Sequence, residues 1–125
     1  LKTLEIIERD NMLAKTKRSG EVLHQLLQAN FKDHPLVGEI RGQGLIGAVE
    51  FVKSKNPVEA FAASEKIGPR VAKRSMELGV ITRALPAADT VAFSPPFVVT
   101  DSELEQMVTT VRKAVDDVSR EIGIM

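Results

Sequence analysis

The sequence predicts an α+β domain: a small antiparallel sheet of three or four strands with helices packed on one face, in the order α-β-β-α-β-β-α. Two pairs of apolar, β-branched segments are each joined by a short turn, and strands joined in this way pair antiparallel. The segments before, between and after these pairs carry apolar residues at helical spacing. A length of 125 residues fits one ordinary domain, so we treat residues 1–125 as a single unit.

The chain begins with helical sequence. Residues 1–30 contain two groups of apolar side chains three or four positions apart, which indicates two helical faces. Asp10-Asn11 can cap a helix, so we expect a break or kink between the groups, and Gly20 weakens the second helix locally. Pro35 discourages helix just before it and ends the segment. The apolar positions are Leu1, Leu4 and Ile7, then Val22, Leu23, Leu26 and Leu27.

The first strand pair surrounds Gly42-Gln43-Gly44. These glycines indicate either a tight hairpin or one bulged, bent strand, and we favour two strands over residues 37–42 and 45–52. A polar loop then covers residues 53–57. Asn56-Pro57 resembles a helix start, but a proline is costly inside a helix and Gly68-Pro69 follows a few turns later. We therefore expect the helix to begin between residues 64 and 68 and to run to Leu78, with Gly79 as its stop.

The second strand pair covers residues 80–85 and 90–94, with a turn over residues 86–89. Pro95-Pro96 ends the last strand. Thr100 and Glu103 have the spacing of a capping box, which opens the final helix. Gly123 ends that helix, whose continuous apolar stripe is Leu104, Met107, Val108, Val111, Val115, Val118 and Ile122.

Composition excludes several classes of function. Seventeen basic residues balance seventeen acidic ones, which gives no support to nucleic-acid or anionic-membrane binding. No apolar run approaches the roughly 20 residues that span a bilayer. The absence of cysteine excludes disulfides and suits a cytosolic protein. Because Leu1 is not Met and helical sequence starts at once, we expect a piece of a longer protein without a signal peptide.

The polar residues do not form a complete active site. His24 lies among leucines, which is typical of a partly buried structural residue, and His34 precedes a proline, as a capping or solvated group would. Glu39 and Glu50 lie on strands, where solvent-facing alternation explains them better than acid–base chemistry. No dinucleotide, P-loop, calcium or zinc motif is present.

Arg83 is the one exception. On its strand it shares a side with Ile81 and Leu85, and a guanidinium in an apolar alternation is costly unless it is paired. Its two-pronged donor fork matches a carboxylate. The alternative is an edge-strand arginine whose head group reaches water.

Three segments together resemble the small C-terminal domain of class III, omega-amino acid:pyruvate type aminotransferases. Residues 34–51 resemble the stretch that opens this domain, and residues 78–83 and 93–100 resemble its closing strands and the start of its last helix. Residues 1–11 look like the helix that leads out of the large domain, so residues 1–30 would be a helical lead-in. The segments occur in the family's order and spacing and cover essentially the whole chain.

The resemblance implies fold type I and a parent enzyme that uses pyridoxal phosphate (PLP) held on a lysine of the large domain. None of the nine lysines here has the family's Schiff-base context, so we expect no catalytic or cofactor-binding residue in this chain and no bound PLP. Arg83 matches the arginine that binds a substrate carboxylate, with Ala84 and Leu85 at the pocket edge. Arg41 and Gly42 match positions that serve the fold.

The implied parent is a cytoplasmic homodimer that transfers an amino group between an amine or amino acid and a keto acid such as pyruvate. Two alternatives remain open at this point. One is an aminomutase or decarboxylase of the same fold, and the other is a stand-alone, non-catalytic α+β binding module.

Overall fold

The computed structural model of the protein describes residues 11–86 and 89–124, together with Glu5 and Glu8. Three helices and six strands follow one another in residues 11–86 and 89–124, with a short 3-10 turn at Ala63–Glu65 before the second helix. In chain order they are α1 (Met12–Phe31), β1 (Val37–Gln43), β2 (Ile46–Phe51), β3 (Ser54–Lys55), β4 (Val58–Glu59), α2 (Ile67–Glu77), β5 (Arg83–Leu85), β6 (Thr90–Phe93) and α3 (Asp101–Glu121).

The main sheet has four antiparallel strands in the order β1-β2-β6-β5. Because side chains alternate along each strand, one face is apolar and buried. Val49 pairs with Val91 and Gly47 with Phe93, and all four residues are buried. The opposite face carries Glu39, Arg41, Glu50, Ala92 and Arg83.

All three helices lie on the buried side of the sheet, as the sequence predicts. Helix α1 packs against β1 and β2, α2 packs against β5 and β6, and α3 packs across α1 and α2. The core between the layers includes Leu23, Leu27, Phe31, Leu36, Val49, Ile67, Val71, Val91, Phe93, Leu104, Val108, Val111 and Val115. The predicted α+β class with helices on one face is therefore confirmed.

The predicted helix signals are confirmed at both ends of α3 and at the end of α2. Thr100 Oγ1 accepts from the Glu103 backbone N–H at 3.1 Å, and Glu103 Oε1 accepts from the Thr100 N–H at 3.0 Å. Gly79 and Gly123, both with positive φ, follow α2 and α3. The next backbone N–H groups donate to carbonyls of the last helical turn, Val80 to Ser75 and Ile124 to Ser119, as in a Schellman motif.

Three details differ from the sequence predictions. Residues 53–59 are not only a loop, because β3 and β4 pair as a two-stranded sheet around a cis Asn56–Pro57 peptide. Strand β5 begins at Arg83 rather than at Val80: the Val80 N–H is used in the cap of α2, and β6 ends at Phe93, before it could pair with residues 80 and 81. The break at Asn11 is confirmed by its left-handed backbone (φ 52°), but its side chain makes no cap hydrogen bond.

The expected lead-in helix over residues 1–10, with Leu1, Leu4 and Ile7, lies mostly outside the described residues, so the division at residue 30 stays a prediction. No helix within the described part of the chain is long and apolar enough to cross a membrane.

Candidate functional site

Arg83 occupies the first position of β5, the edge strand of the main sheet. It pairs with Ala92 of β6, which places it on the face opposite the helices. The side chain is exposed, as in the alternative of an edge-strand arginine whose head group reaches water, so burial creates no need for a partner. Within residues 11–86 and 89–124 no carboxylate forms an ion pair with it. Its guanidinium is thus available for an anion from elsewhere.

A groove of about 410 Å³ lies at the end of the sheet where β5 begins and β6 ends. The loop over residues 94–99 and the first two turns of α3 complete it. Most of its walls are apolar, and its charged residues are Arg83 and Glu103. The lining residues are Ile81, Thr82, Arg83, Ala92, Phe93, Ser94, Pro95, Pro96, Val98, Val99, Glu103 and Met107. A volume of this size fits a small organic molecule.

Glu103 is committed to the helix that it starts. Its carboxylate accepts the Thr100 N–H, and this hydrogen bond is the main reason that its pKa lies below its usual value. A lowered pKa keeps Glu103 ionised at neutral pH, where it also favours the positive end of the α3 dipole. The groove therefore has an anion, Glu103, that is held by the start of α3, and a cation, Arg83, that has no ion-pair partner among the described residues.

The two residues that we predicted to flank Arg83 in the pocket do not line this groove. Ala84 is not among the lining residues, and Leu85 opens on a different depression next to Phe61 and Lys66. In an extended strand successive side chains point to opposite faces, so Ala84 points away from the face of Arg83. Leu85 is on the same face as Arg83 but lies about 7 Å further along the strand. Pro95 and Pro96, which were predicted to end the strand, follow the end of β6 and also form part of the groove wall.

The two histidines have structural partners. His24 Nε2 donates to the Gly44 carbonyl oxygen at 3.1 Å, which ties α1 to the β1–β2 turn. His34 is fully buried rather than solvated: its Nδ1 accepts the Leu36 N–H at 3.0 Å and its Nε2 lies 2.8 Å from Asp116 Oδ1. The His34 side chain thus fixes the turn between α1 and β1 and caps no helix of the described residues. No cluster of metal-ligating side chains occurs in the described residues.

The strand carboxylates belong to a surface ion pair. Arg41 donates to Glu39 Oε2 at 2.9 Å and to Glu50 Oε2 on the open face of the sheet. Arg41 and Arg83 stand at opposite edges of one cross-strand row, since Arg41 pairs with Ala48, Ala48 with Ala92 and Ala92 with Arg83. The two arginines thus share a face of the sheet, but Arg41 is paired with carboxylates and Arg83 has no ion-pair partner among the described residues.

Comparison with known proteins identifies the family. The sequence profile described as "Aminotransferase class-III" matches residues 1–115, so the chain belongs to the class III aminotransferases. It is 36% identical over 95% of its length to the diaminobutyrate–2-oxoglutarate transaminase of Halomonas elongata, and 33% identical over 93% to the putrescine–pyruvate aminotransferase of Pseudomonas aeruginosa.

The solved structures agree with this membership. The omega transaminase from Pseudomonas jessenii in complex with PMP superposes on 96% of the chain with a TM-score of 0.88 and 41% sequence identity. The chain spans about a quarter of the length of these proteins: 25% of each of the two relatives and 26% of the solved chain. The predicted fold-type I transaminase domain is confirmed.

Proposed function

We propose that the chain is the C-terminal small domain of a PLP-dependent aminotransferase and that Arg83 binds the carboxylate of the substrate. The parent enzyme transfers an amino group between an amine or amino acid and a keto acid such as pyruvate. The observation that carries the proposal is the exposed guanidinium of Arg83, without a carboxylate partner in the described residues, at an apolar groove. A guanidinium binds a carboxylate with two parallel hydrogen bonds.

The names of the two relatives support this substrate class. One contains 2-oxoglutarate and the other pyruvate, and both compounds are keto acids with a carboxylate. The apolar walls of the groove suit the remainder of an amine or amino acid. These findings favour the aminotransferase over an aminomutase or decarboxylase of the same fold, and over a stand-alone binding module.

The described residues of this chain do not fit a PLP site by themselves. No lysine of the described residues lines the groove. The ammonium of Lys15, on α1, donates hydrogen bonds to two backbone carbonyls of the adjacent loop. When bound, PLP supplies the electron sink for amino transfer. We place the lysine that holds it in the part of the parent beyond this chain. The Pseudomonas jessenii neighbour, solved with PMP, supports the cofactor for the parent.

The same proposal includes a cytoplasmic homodimer in which this domain contacts the large domain of its own chain. The resemblance to the omega-amino acid:pyruvate aminotransferases supports the dimer and the domain contact. The absence of cysteine supports a reducing compartment.

Substitution of Arg83 in the full-length enzyme tests the site. We expect Arg83→Ala to weaken the use of alanine and pyruvate by about 2–3 kcal/mol, the range for the loss of a charge-assisted pair. An arylalkyl amine without a carboxylate should react nearly as well as before in its own half-reaction. Arg83→Lys should rescue only in part, because an ammonium lacks the two-pronged fork. Single-turnover rates with alanine and with the amine measure both effects.

Arg41→Ala is the matched control, because Arg41 lies in the same cross-strand row but does not line the groove. It should leave the ratio of the two single-turnover rates unchanged. Equal losses for alanine and the amine in Arg83→Ala would show that Arg83 is an edge-strand residue with a structural role only.

A further inference from the structure

One wall of the Arg83 groove is a loop with little backbone pairing of its own. Residues 94–99 join β6 to α3, and Pro95 and Pro96 have no N–H to donate. The ends are held by β6, through the pairing of Phe93 with Gly47, and by the Thr100 cap of α3. Between them, the Val99 N–H donates to the Pro96 carbonyl at 3.0 Å. Local bonds alone therefore leave the middle of the wall weakly fixed.

Lys15 of α1 reaches this loop from more than eighty residues away in sequence. Its Nζ donates to the Phe97 carbonyl at 2.6 Å and to the Val99 carbonyl at 2.9 Å. These two carbonyls flank Val98, whose side chain lines the groove. Both hydrogen bonds have a charged donor, which makes them stronger than neutral ones, and the one to Val99 is also partly buried, whereas the one to Phe97 is exposed.

The neighbouring contact from α1 contributes less. Arg18 Nη1 lies 3.3 Å from Asp101 Oδ2, but 65% and 49% of these two side chains are exposed. Exposed ion pairs of this kind stabilise little. Buried Val99 anchors the end of the loop in the core, and Lys15 makes the stronger of the two polar contacts from α1 to this region.

We propose that Lys15 is a positioning residue for the substrate groove: by holding the Phe97 and Val99 carbonyls it keeps the loop over residues 94–99 in the conformation that binds substrate. This inference rests on the proposal that the Arg83 groove receives the substrate. Without the two Lys15 hydrogen bonds, only a fraction of the molecules has the loop in its substrate-binding conformation. The apparent affinity for substrate is then reduced in proportion to that fraction. Once substrate is bound the wall is formed, so the loss affects KM and spares kcat.

The test is steady-state kinetics of the full-length enzyme with Lys15→Met, which keeps most of the aliphatic stem and removes the donors. We expect KM for alanine and for an arylalkyl amine to rise about tenfold, the equivalent of one charge-assisted hydrogen bond, with kcat within about twofold of wild type. Lys15→Arg should restore KM, since a guanidinium also offers several donors. The matched control is Lys17→Met, on an exposed residue of the same helix, which should change neither parameter.

The same variant in an Arg83→Ala background separates this inference from the proposed function. Lys15→Met should still raise KM for the uncharged amine there, because the wall contacts the substrate independently of the guanidinium. An unchanged KM, or a fall in kcat and cofactor content at constant KM, would overturn the positioning role. If Lys15→Met does not fold, Lys15→Gln is measured in its place. A KM of Lys15→Gln that is no higher than the KM of Lys15→Arg would also overturn the proposal.

Discussion

Arg83 and Lys15 carry the same charge near one groove, and their hydrogen-bond partners give them different roles. The Lys15 ammonium donates hydrogen bonds to two backbone carbonyls of the loop, so it stabilises the conformation of the groove wall. The Arg83 guanidinium is exposed and has no ion-pair partner in the described residues. A guanidinium that no described carboxylate binds can accept an anionic ligand as its partner.

His34 is a buried titratable group whose geometry requires the neutral ring. Its Nδ1 accepts the Leu36 N–H, so the hydrogen of the neutral ring is on Nε2, which donates to Asp116. Burial is the main cause of a pKa below the usual value for histidine, and nearby Arg112 and Lys55 act in the same direction, while Asp116 opposes them. Protonation of Nδ1 would place two donors against each other and break the bond to Leu36.

We expect the stability of the chain to fall as the pH is lowered from about 6.5, the ordinary histidine pKa. In that range the unfolded chain takes up a proton that the folded chain resists, so the contribution of neutral His34 is complete above this pH and is lost below it. His34→Gln, which cannot titrate, should be less stable at pH 7 because Leu36 loses its acceptor, but should lose less on acidification. Urea unfolding of both chains at pH 7 and pH 5 measures this. An identical pH dependence in the variant would contradict it.

The sequence made Arg83 a candidate through an expected alternation with Ile81 and Leu85, but the strand begins at Arg83 and the side chain is exposed, so the resemblance to the family carries that assignment. The partners of Lys15 and His34 could not be found from the sequence. Lys15 contacts carbonyls 82 and 84 positions away, and His34 contacts Asp116 82 positions away, so only the tertiary packing brings them together. Solvation of His34 was predicted from its loop position, and that prediction failed because α3 covers the loop.

At the scale of the elements, α1 and the β1–β2 hairpin approach each other at glycines. A Cβ on Gly20 would lie 2.4 Å from the Gly44 carbonyl oxygen, and a Cβ on Gly42 would lie 1.9 Å from His24 Cε1. Gly44, with a φ of 56°, makes the turn. Gly20 therefore does more than weaken the helix, since the contact between helix and hairpin needs a residue without a side chain.

We expect Gly20→Ala to destabilise the chain by about 1–3 kcal/mol, the usual cost of overpacking a close contact. On an exposed helix surface the same change would stabilise by up to about 1 kcal/mol, so the sign separates the two cases. The obstacle is a backbone carbonyl, which a side-chain rotation cannot remove. Chemical denaturation gives the value, with Lys17→Ala as the control on the same helix. A more stable Gly20→Ala chain would show that α1 can move away from the hairpin.

The elements were predictable where their signals are local. The capping box of α3 and the glycine stops of α2 and α3 depend on a few neighbouring residues and occur where the sequence places them. The β3–β4 hairpin was missed because the proline at its turn also suits a helix start. Strand β5 was predicted too long because its start depends on two other elements: the Schellman cap of α2 uses the Val80 N–H, and the partner strand β6 ends at Phe93.

At the scale of the whole molecule, the rim of the groove is the most apolar exposed region near the candidate site. Ile81 is 85% exposed, Val98 71% and Phe97 52%. Ile81 and Val98 line the groove beside Arg83, and Phe97 precedes Val98 in the same loop. The chain accounts for only about a quarter of the length of the two relatives named above. Exposed apolar side chains at one site are typical of an interaction surface. We propose that the large domain of the parent covers it.

We therefore expect the isolated 125-residue chain to associate at high concentration through this rim, because no side chain of the described residues shields Ile81 and Val98 from water. The double change Ile81→Ser and Val98→Ser should reduce the association, since it removes the two most exposed apolar side chains of the rim. The matched control is Val58→Ser with Met76→Ser, which removes comparable exposure (77% and 59%) away from the groove. Light scattering over a concentration series measures the average mass of each chain.

If apolar exposure alone drove association, both double variants would reduce the association to the same degree. If the rim is an interface, only Ile81→Ser with Val98→Ser reduces it. A strictly monomeric wild-type chain at high concentration would show that the rim does not need a partner.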